Sequence, residues 1–369
     1  MRSTDFDIVI LGGGCAGLSL AVRLAAEGRN FCVVEPRDHY TDDRAWSFWR
    51  TAPDPFEDCV QSSWTRWSIA SPRGVVQRNS LQLKYQTVGA KAFYNRAQSI
   101  MDSSPAATLM LGTTAGLVSR TTDGWSIETG SGQLLANHVI DTRPPTRVPT
   151  YGQFFLGKEI RTERPVFDPA CVQLMHFRSS RSGGVDFVYT LPFARDRALV
   201  EVTCFAPRPP EPDVMEKWLG SEIAAINPGT FEVLRQETGA LPMQAGFIDP
   251  LQNGVTRLGL GGGAARPSTG YAFSRIQAQA ERVAKALKDG ALPQSQLDGG
   301  FTGFMDRVFL QVLQTIPERG PALFDSLFRN APRDRLERFL SGSTHPVDRL
   351  SIMAALPTLP FLRAALGRT

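Results

Sequence analysis

The first 35 residues combine two short apolar runs with one helical pattern. Residues 7–11 and 31–34 are β-branched and apolar runs, each of the length of a buried parallel strand. Between them, residues 18–27 carry apolar side chains at helical spacing until Gly28 interrupts the pattern. The order predicts a strand–helix–strand unit.

The turn between the first strand and the helix is rich in glycine. Gly12 permits a tight turn, Gly14 lets a pyrophosphate approach the backbone, and Gly17 lets helix and strand pack closely. The helix N-terminus then offers N–H groups to the phosphates. Glu35 follows 18 residues after Gly17, where a carboxylate accepts hydrogen bonds from a ribose and disfavours the 2′-phosphate of NADP. The spacing predicts a dinucleotide site, and we favour FAD over NAD because FAD usually binds first in the chain of flavoenzymes.

The region after residue 165 has the pattern of an antiparallel sheet. Apolar runs at 171–177, 186–192 and 198–205 are separated by turns rich in Arg, Ser, Gly and Asp. We expect these strands to form a floor for an apolar substrate.

The last of these strands contains a carboxylate. Alternation places Leu199, Glu201 and Thr203 on one face. Burying a carboxylate is costly unless it is paired, protonated or functional. Glu201 is therefore a candidate acid, and an edge strand with Glu201 in solvent is the alternative.

Two other segments have the pattern of cofactor-binding elements. Residues 139–142 predict a strand that ends at Asp141, with an ordinary strand end as the alternative. Residues 258–265 predict a short strand that runs into glycines before a helix at 273–288, and a plain loop is the alternative there. The residues of this junction that we expect near the cofactor are Gly262, Gly263, Thr269 and Gly270.

The chain has a helical pattern from residue 299 onward. Residues 350–366 are apolar but interrupted by Pro357 and Pro360, and no apolar run reaches the length of a membrane span. We expect this segment to lie on a bilayer or to cover a pocket, with a core helix as the alternative.

Composition narrows the classes of function. Of the 369 residues, 42% are hydrophobic and 21% are charged, and the net charge is +4. A globular protein of two domains is expected, and nucleic-acid binding is not, since no basic run is interleaved with aromatic residues. The five cysteines occur singly, so no metal site is expected. They fit a reducing cytoplasm, and the N-terminus lacks the pattern of a signal peptide.

Together the elements predict an α/β fold with a Rossmann-type unit. We expect residues 1–150 and 240–290 to form a discontinuous FAD-binding domain. Residues 151–239 would form an inserted antiparallel substrate domain, and residues 291–369 a helical C-terminal region with a membrane or lid surface.

Segments from nearly the whole chain resemble the lycopene cyclase family of flavoproteins. They are residues 8–17, 44–49, 139–144, 153–160, 187–203, 268–271 and 338–342. The resemblance implies a redox-neutral isomerisation, of intramolecular lyase type, in which reduced FAD assists closure of the ψ-ends of lycopene into β-ionone rings. It also implies NAD(P)H as external reductant and a carotenoid substrate taken from a membrane surface, with no obligate protein partner evident.

The chain departs from the family pattern at two positions. The usual Phe/Leu-x-Glu-Glu/Asp-Thr motif reads Leu-Val-Glu-Val-Thr at 199–203, so that the first acid is present and the second is valine. The family often has Asp at the position of His176. Glu201 is the candidate proton donor, and Asp186, His176 and Glu237 are the next candidates.

The chemistry fits these residue types. Protonating an alkene creates a carbocation, which requires an acid with a raised pKa, nearby negative charge and exclusion of water. Leu199 and Thr203 are expected beside the acid. Four aromatic residues would either stabilise the cation or serve as packing: Trp46, Phe48, Trp49 and Tyr271.

Two other functions suit the same sequence. A FAD-dependent monooxygenase or prenyl reductase would consume NAD(P)H and change the mass of an apolar substrate. A protein that holds flavin or polyene without turnover would form no product.

Overall fold

A computed structural model describes residues 4–248, 254–294, 300–343 and 345–367. Parts of the predicted domains at 1–3, 249–253, 295–299, 344 and 368–369 lie outside the described residues. The strands are β1 (Phe6–Leu11), β2 (Phe31–Val34), β3 (Ala45–Trp49), β4 (Val60–Trp64), β5 (Arg66–Ser71), β6 (Gly74–Asn79), β7 (Tyr85–Gly89), β8 (Ala107–Met110), β9 (Ala115–Arg120), β10 (Trp125–Thr129), β11 (Gly132–Asp141), β12 (Gly152–Thr162), β13 (Cys171–Phe177), β14 (Val185–Ala194), β15 (Arg197–Ala206), β16 (Phe231–Pro242) and β17 (Thr256–Arg257). The helices are α1 (Cys15–Ala26), α2 (Ala90–Asp102), α3 (Pro212–Ala225), α4 (Phe273–Lys288), α5 (Gly300–Thr315), α6 (Gly320–Asn330), α7 (Arg333–Leu340), α8 (Pro346–Ala355) and α9 (Thr358–Ala365).

The first sheet has the strand order β8-β2-β1-β11-β10-β9, with β17 beside β11. The neighbours β8, β2, β1 and β11 run parallel, whereas β10 and β9 form antiparallel pairs. Helices α1, α2 and α4 pack on the face that bears Ile8 and Ile10. The predicted α/β fold, with its strand–helix–strand unit at the start, is confirmed.

The second sheet has the order β16-β12-β15-β14-β13-β5-β6 and is antiparallel except where β13 meets β5. It contains the three strands predicted after residue 165. Alternation on β15 is as predicted: Leu199 faces a core shared with the C-terminal helices, whereas Val200 and Val202 pack under α3.

The structure departs from the predicted organisation in two places. Strands β5 and β6 lie within the predicted cofactor domain 1–150 but belong to the second sheet. The sequence near β5 and β6 carries no information on a partner strand about 100 residues later. In place of the short strand predicted at 258–265, the structure has β17 at Thr256–Arg257. The backbone turns after β17 because Gly259 and Gly263 adopt positive φ.

The C-terminal region is helical, as predicted. Helix α6 lies on β5, α8 contacts α6 and α7, and α9 lies on α5. Their apolar side chains join the core of the second sheet. Within the described ranges, none of the helices combines the length and apolar character needed to cross a bilayer.

Candidate functional site

The turn between β1 and α1 has room for a ligand at one glycine and none at another. Gly12 has φ of +97°, and a Cβ on Gly17 would lie 2.0 Å from the Gly12 carbonyl oxygen. A Cβ on Gly14 would meet no atom within 4 Å. Because Gly14 is also the N-cap of α1, the open space lies where a helix binds phosphate.

Glu35 lies at the end of β2 beside this turn. Its carboxylate accepts hydrogen bonds from the Gly13 N–H at 2.5 Å and from the Arg37 Nε at 2.7 Å. Burial alone would raise the pKa of Glu35, but these bonds outweigh it and hold the pKa below its usual range. The ionised carboxylate lies where a ribose diol would bind.

The glycine-rich junction after β17 meets the same turn. A Cβ on Gly259 would lie 2.8 Å from the Cβ of Ala16 in α1. Gln279 of α4 holds the junction by accepting from the Gly259 N–H at 3.0 Å and donating to the Gly262 carbonyl at 2.8 Å. Gly259 therefore contacts α1, and the Gly262 N–H donates to the Gly259 carbonyl at 3.0 Å. A role for Gly262 and Gly263 in cofactor binding stays a prediction.

Asp141 has arginine partners. Its carboxylate pairs with Arg143 at 2.6 Å and with Arg257 at 2.9 Å. These ion pairs join β11 to β17, which are in register at this position. A role for Asp141 in cofactor binding stays a prediction.

The segment that follows the junction crosses to the second sheet. Gly270 has φ of +72°, and its Cβ would lie 2.2 Å from Oε1 of Gln153 on β12. Thr269 precedes it and lines a cavity among the C-terminal helices. Gly270 is thus needed for the close approach of the two parts, and direct contact of these residues with a cofactor stays a prediction.

The second sheet places two carboxylates in one transverse row. Tyr189, Glu201, Gly157 and Glu237 are in register across β14, β15, β12 and β16. Residues paired in register point to the same face of an antiparallel sheet. Glu201 and Glu237 therefore lie on either side of a glycine, with no side chain between them.

Glu201 is buried, with 6% of its surface exposed. The Thr203 hydroxyl donates to Glu201 Oε1 at 2.6 Å. Burial, and after it the negative charge of Glu237, raises the pKa of Glu201 to about 8. At neutral pH the side chain is a carboxylic acid that can give up a proton. The solvent-exposed alternative for Glu201 is wrong.

Glu237 differs from Glu201 in its partners. It accepts from the Ala45 N–H at 2.9 Å and pairs with Arg235, which also pairs with Glu159 at 3.3 Å. Burial raises the pKa of Glu237, and Arg235 opposes that change. Because Glu237 has a guanidinium partner, we assign the negative charge to Glu237 and the proton to Glu201.

Tyrosine and tryptophan side chains lie beside this row. The Tyr85 and Tyr189 hydroxyls are hydrogen-bonded at 2.9 Å. Trp49 packs edge-on against Tyr85 and Tyr271, with ring centroids 4.7 and 5.7 Å apart. We call Trp49, Tyr85, Tyr189 and Tyr271 the aromatic cluster. Sequence reasoning found Trp49 and Tyr271 and missed the two others, because Tyr189 lies beside Glu201 through cross-strand pairing and Tyr85 through its hydrogen bond to Tyr189.

The other two predicted aromatic residues pack elsewhere. Trp46 packs against Phe93 of α2 at 4.9 Å, and Phe48 stacks on Phe273 of α4 at 4.5 Å. Phe48 also borders a small cavity with Trp49 and Tyr271. Packing is thus the observed role of Trp46.

The reserve proton donors Asp186 and His176 face the other side of the sheet. Asp186 is in register with Cys204, and His176 with Val188, on the face opposite Glu201. Burial also lowers the pKa of His176. Of the candidates other than Glu201, only Glu237 shares its face.

The comparison with protein families decides the family. The model of the family described as lycopene cyclase protein matches residues 7–366. The chain belongs to the lycopene cyclase family. It is 26% identical to a lycopene beta-cyclase of Pseudescherichia vulneris, over 98% of this chain and 97% of that protein. It is 25% identical to a lycopene beta-cyclase of a Paracoccus strain, over 96% of this chain and 95% of the relative.

Solved structures share the fold of this lycopene cyclase family member. A geranylgeranyl bacteriochlorophyll reductase-like protein of Thermoplasma acidophilum has a TM-score of 0.62 at 12% identity, with 98% of this chain and 96% of that chain covered. A p-nitrophenol 4-monooxygenase of Pseudomonas putida has a TM-score of 0.63 at 16% identity, with 96% of this chain and 98% of that chain covered. A flavoprotein/dehydrogenase of Cytophaga hutchinsonii has a TM-score of 0.64 at 13% identity, with 98% of this chain and 99% of that chain covered. The likeness shows the fold.

The valine in the lycopene cyclase motif lies away from the acid. Val202 is fully buried and packs under α3, on the face opposite Glu201. Its presence therefore leaves the polar groups around Glu201 unchanged. On the face that Glu201 occupies, the carboxylate directly across Gly157 is Glu237, from a strand that the motif does not include.

Proposed function

We propose that this protein is a carotenoid cyclase that converts the ψ-end groups of lycopene into β-ionone rings without net redox change. The observation that carries the proposal is the position of Glu201, a buried carboxyl that is in register with Tyr189 of the aromatic cluster and whose pKa burial raises. Membership of the lycopene cyclase family, and relatives named lycopene beta-cyclases, support it.

The residues support a sequence of proton transfers. Glu201 gives its proton to the terminal double bond, and the resulting tertiary cation is attacked by the neighbouring alkene, which closes the ring. Loss of a different proton from the ring leaves the β-ionone double bond. One proton enters and one leaves, so product and substrate have equal mass.

The surroundings of Glu201 suit a cation. The rings of Trp49, Tyr85 and Tyr271 offer cation–π stabilisation, and the burial of Trp49 and Tyr85 keeps water from capturing the cation. The carboxylate left on Glu201 adds negative charge close to the cation.

The glycine turn and Glu35 fit FAD, for which the open space at Gly14 and the ionised carboxylate are the observed support. Bound FAD in its reduced, anionic form would supply further negative charge near the cation, and NAD(P)H is the proposed external reductant.

We also propose that the protein is a peripheral membrane protein of the cytoplasm. Its free cysteines suit a reducing compartment. Apolar side chains on α8 and α9 face solvent, which suits contact with lipid. They include Val347, Leu350, Met353, Leu359 and Leu362.

Product analysis tests the cyclase proposal. Dithionite-reduced holoenzyme, incubated with lycopene without oxygen, should form a product of unchanged mass without stoichiometric NAD(P)H oxidation. In D₂O, one deuterium should enter per ring. A product heavier by two hydrogens or by one oxygen would indicate a reductase or a monooxygenase instead.

Glu201→Gln tests the acid directly. Glutamine keeps the shape and removes the proton, so product formation should fall at least about 10²-fold while flavin content persists. The matched control is Glu232→Gln, an exposed residue of β16, which should keep wild-type turnover. Near wild-type turnover of Glu201→Gln would assign the proton to another group.

A further inference from the structure

A large apolar cavity lies among the C-terminal helices. Its volume is about 220 Å³, and all of its lining side chains are apolar except Ser268, Thr269 and Thr358. Its walls come from α5, α6, α7, α8 and α9. Representative wall residues are Phe309, Phe324, Leu327, Ile352, Leu356 and Phe361. We call this cavity the helical chamber.

The helical chamber is too large to be a packing defect. Protein cores leave few voids larger than a water molecule, and a cavity of about 150 Å³ with an apolar lining stays dry and binds small hydrocarbons. An empty chamber lined by aromatic and aliphatic side chains forgoes dispersion contacts that an apolar ligand would restore. The chamber therefore suits an apolar ligand.

The inner end of the helical chamber adjoins the aromatic cluster. Leu340 borders both the chamber and the small cavity that Trp49 and Tyr271 line. Tyr271 in turn packs against Trp49, whose neighbour Tyr85 is hydrogen-bonded to Tyr189 opposite Glu201. Trp49, Tyr85 and Leu340 belong to one apolar core, which also contains Leu199, a neighbour of Glu201 on the same face of β15.

A buried ion pair fixes this inner wall. Arg266 is 1% exposed, pairs with Asp306 of α5 at 3.2 Å and lies over the Phe339 ring of α7 at 4.1 Å. The Ser268 hydroxyl donates to the same carboxylate at 2.7 Å. The loop that carries Tyr271 is thus attached to the helices that enclose the chamber.

The outer end reaches an apolar surface. Met353 and Leu362 line the chamber and are about half exposed, at 48% and 53%. Leu350 and Leu359 lie exposed on the same two helices. A ligand entering here would pass from the exposed apolar side chains of α8 and α9 to the apolar lining of the chamber.

We propose that the helical chamber binds the unreacting portion of a long acyclic polyene hydrocarbon while one end group lies at the aromatic cluster. This inference rests on the proposed function and adds to it a binding site for the chain of the substrate. It predicts that the chamber distinguishes substrates by length.

Two leucine-to-tryptophan variants test the proposal. Leu356→Trp enlarges a side chain in the chamber wall, whereas Leu117→Trp makes the same change at an exposed position of β9 in the first sheet. The larger side chain leaves less room for the polyene, so Leu356→Trp should lower polyene affinity by about tenfold or more. Leu117→Trp should bind as the wild type does.

The first readout is binding, which does not require turnover. Holoenzyme in detergent is mixed with lycopene, and the polyene retained per flavin is measured after gel filtration. The second readout is kcat/KM for lycopene and for an acyclic terpene of half its length with the same end group. Leu356→Trp should lose activity on the long substrate and keep it on the short one.

The outcomes separate this inference from the proposed function. If the wild type forms no cyclic product but retains lycopene, and Leu356→Trp does not, the chamber is confirmed and the cyclase proposal fails. Equal retention and equal length preference in Leu356→Trp and wild type would overturn the chamber. If Leu356→Trp does not accumulate, Met353→Trp at the chamber mouth is measured by the same criteria.

Discussion

Gly157 allows Glu201 and Glu237 to influence each other. A Cβ at position 157 would meet Leu199 at 3.1 Å and Glu201 at 3.3 Å, so the glycine leaves the space between the carboxylates open. Two buried carboxylates that share one site cannot easily both be ionised. The pair thus retains a proton at a pH where an isolated glutamate has lost it.

The pH profile should reflect this pair. A general acid acts when protonated, so kcat/KM should be maintained below pH 8 and fall as pH rises through the pKa of Glu201, at about 8. Glu237→Gln removes a negative neighbour and leaves Arg235 without that partner. Both changes favour ionised Glu201, so the alkaline fall should move to lower pH by about one unit.

The comparison for this profile is Glu237→Asp, which keeps the charge and should leave the fall closer to that of the wild type. Deuterium incorporation per ring should stay the same in both variants, because the proton donor is unchanged. If kcat/KM of Glu237→Gln falls at the same alkaline pH as that of the wild type, Glu237 does not set the pKa of Glu201.

Sequence alone identifies Glu201 and its strand neighbour Thr203, but not its partners from other strands. Alternation within one strand, together with the cost of burying a carboxylate, is sufficient to single Glu201 out. Glu237 and Tyr189 lie beside it through strand register, and Tyr85 through its hydrogen bond to Tyr189, and no periodicity within a segment reports these contacts. The same limitation explains why Trp46 was grouped with Trp49, although they contact different parts of the molecule.

The β1–turn–α1 unit is determined locally. Its contacts join residues within about 30 positions of each other, so that glycine spacing and the apolar pattern predict it. The hairpin of β5 and β6 was assigned to the wrong sheet because its partner β13 is remote in sequence. The C-terminal helices were predicted by periodicity, but the chamber between them was not.

Two glycines of the β1–α1 turn should respond differently to substitution. Gly14→Val adds atoms only to open space, so the fold should persist while the flavin content of the purified protein falls to near zero, because the branched side chain blocks the pyrophosphate. Gly17→Val places Cβ against the Gly12 carbonyl and should lower Tm and yield as well.

Circular dichroism and flavin absorbance distinguish these outcomes. Gly28→Val is unsuitable as a control because Gly28 has positive φ, whereas Gly220→Val in α3 meets no atom and tests the general cost of valine in a helix. Full flavin content in Gly14→Val would refute dinucleotide binding at this turn.

The whole molecule presents one apolar surface on α8 and α9 and carries a net charge of +4. Such a surface gains free energy by entering the boundary of a bilayer, and net positive charge adds attraction to anionic lipid. The proposed substrate is soluble only in lipid, so a membrane-facing chamber mouth would shorten its route from bilayer to acid.

Vesicle flotation measures this association. The protein should float with vesicles that contain anionic lipid, and high salt should reduce but not abolish its binding. Leu350→Glu/Leu359→Glu should lower the bound fraction at least about tenfold, since each leucine contributes about 2 kcal/mol on burial. Leu117→Glu, which changes a comparably exposed leucine on β9 of the first sheet, should have no effect. A protein that stays unbound with every vesicle composition would contradict the proposal.

The parallel pairing of β5 with β13 also governs how the chain reaches its fold. During synthesis, residues 66–79 leave the ribosome about 100 residues before their partner strand does, and β1 likewise waits for β11. Until then, Trp67 and Ile69 have no core to enter, although both are buried in the finished protein. Parallel pairings over such separations form slowly, and the waiting strands expose unpaired edges to other nascent chains. The second sheet is therefore completed late, and cutting the chain near residue 150 would separate β5 and β6 from their partner β13.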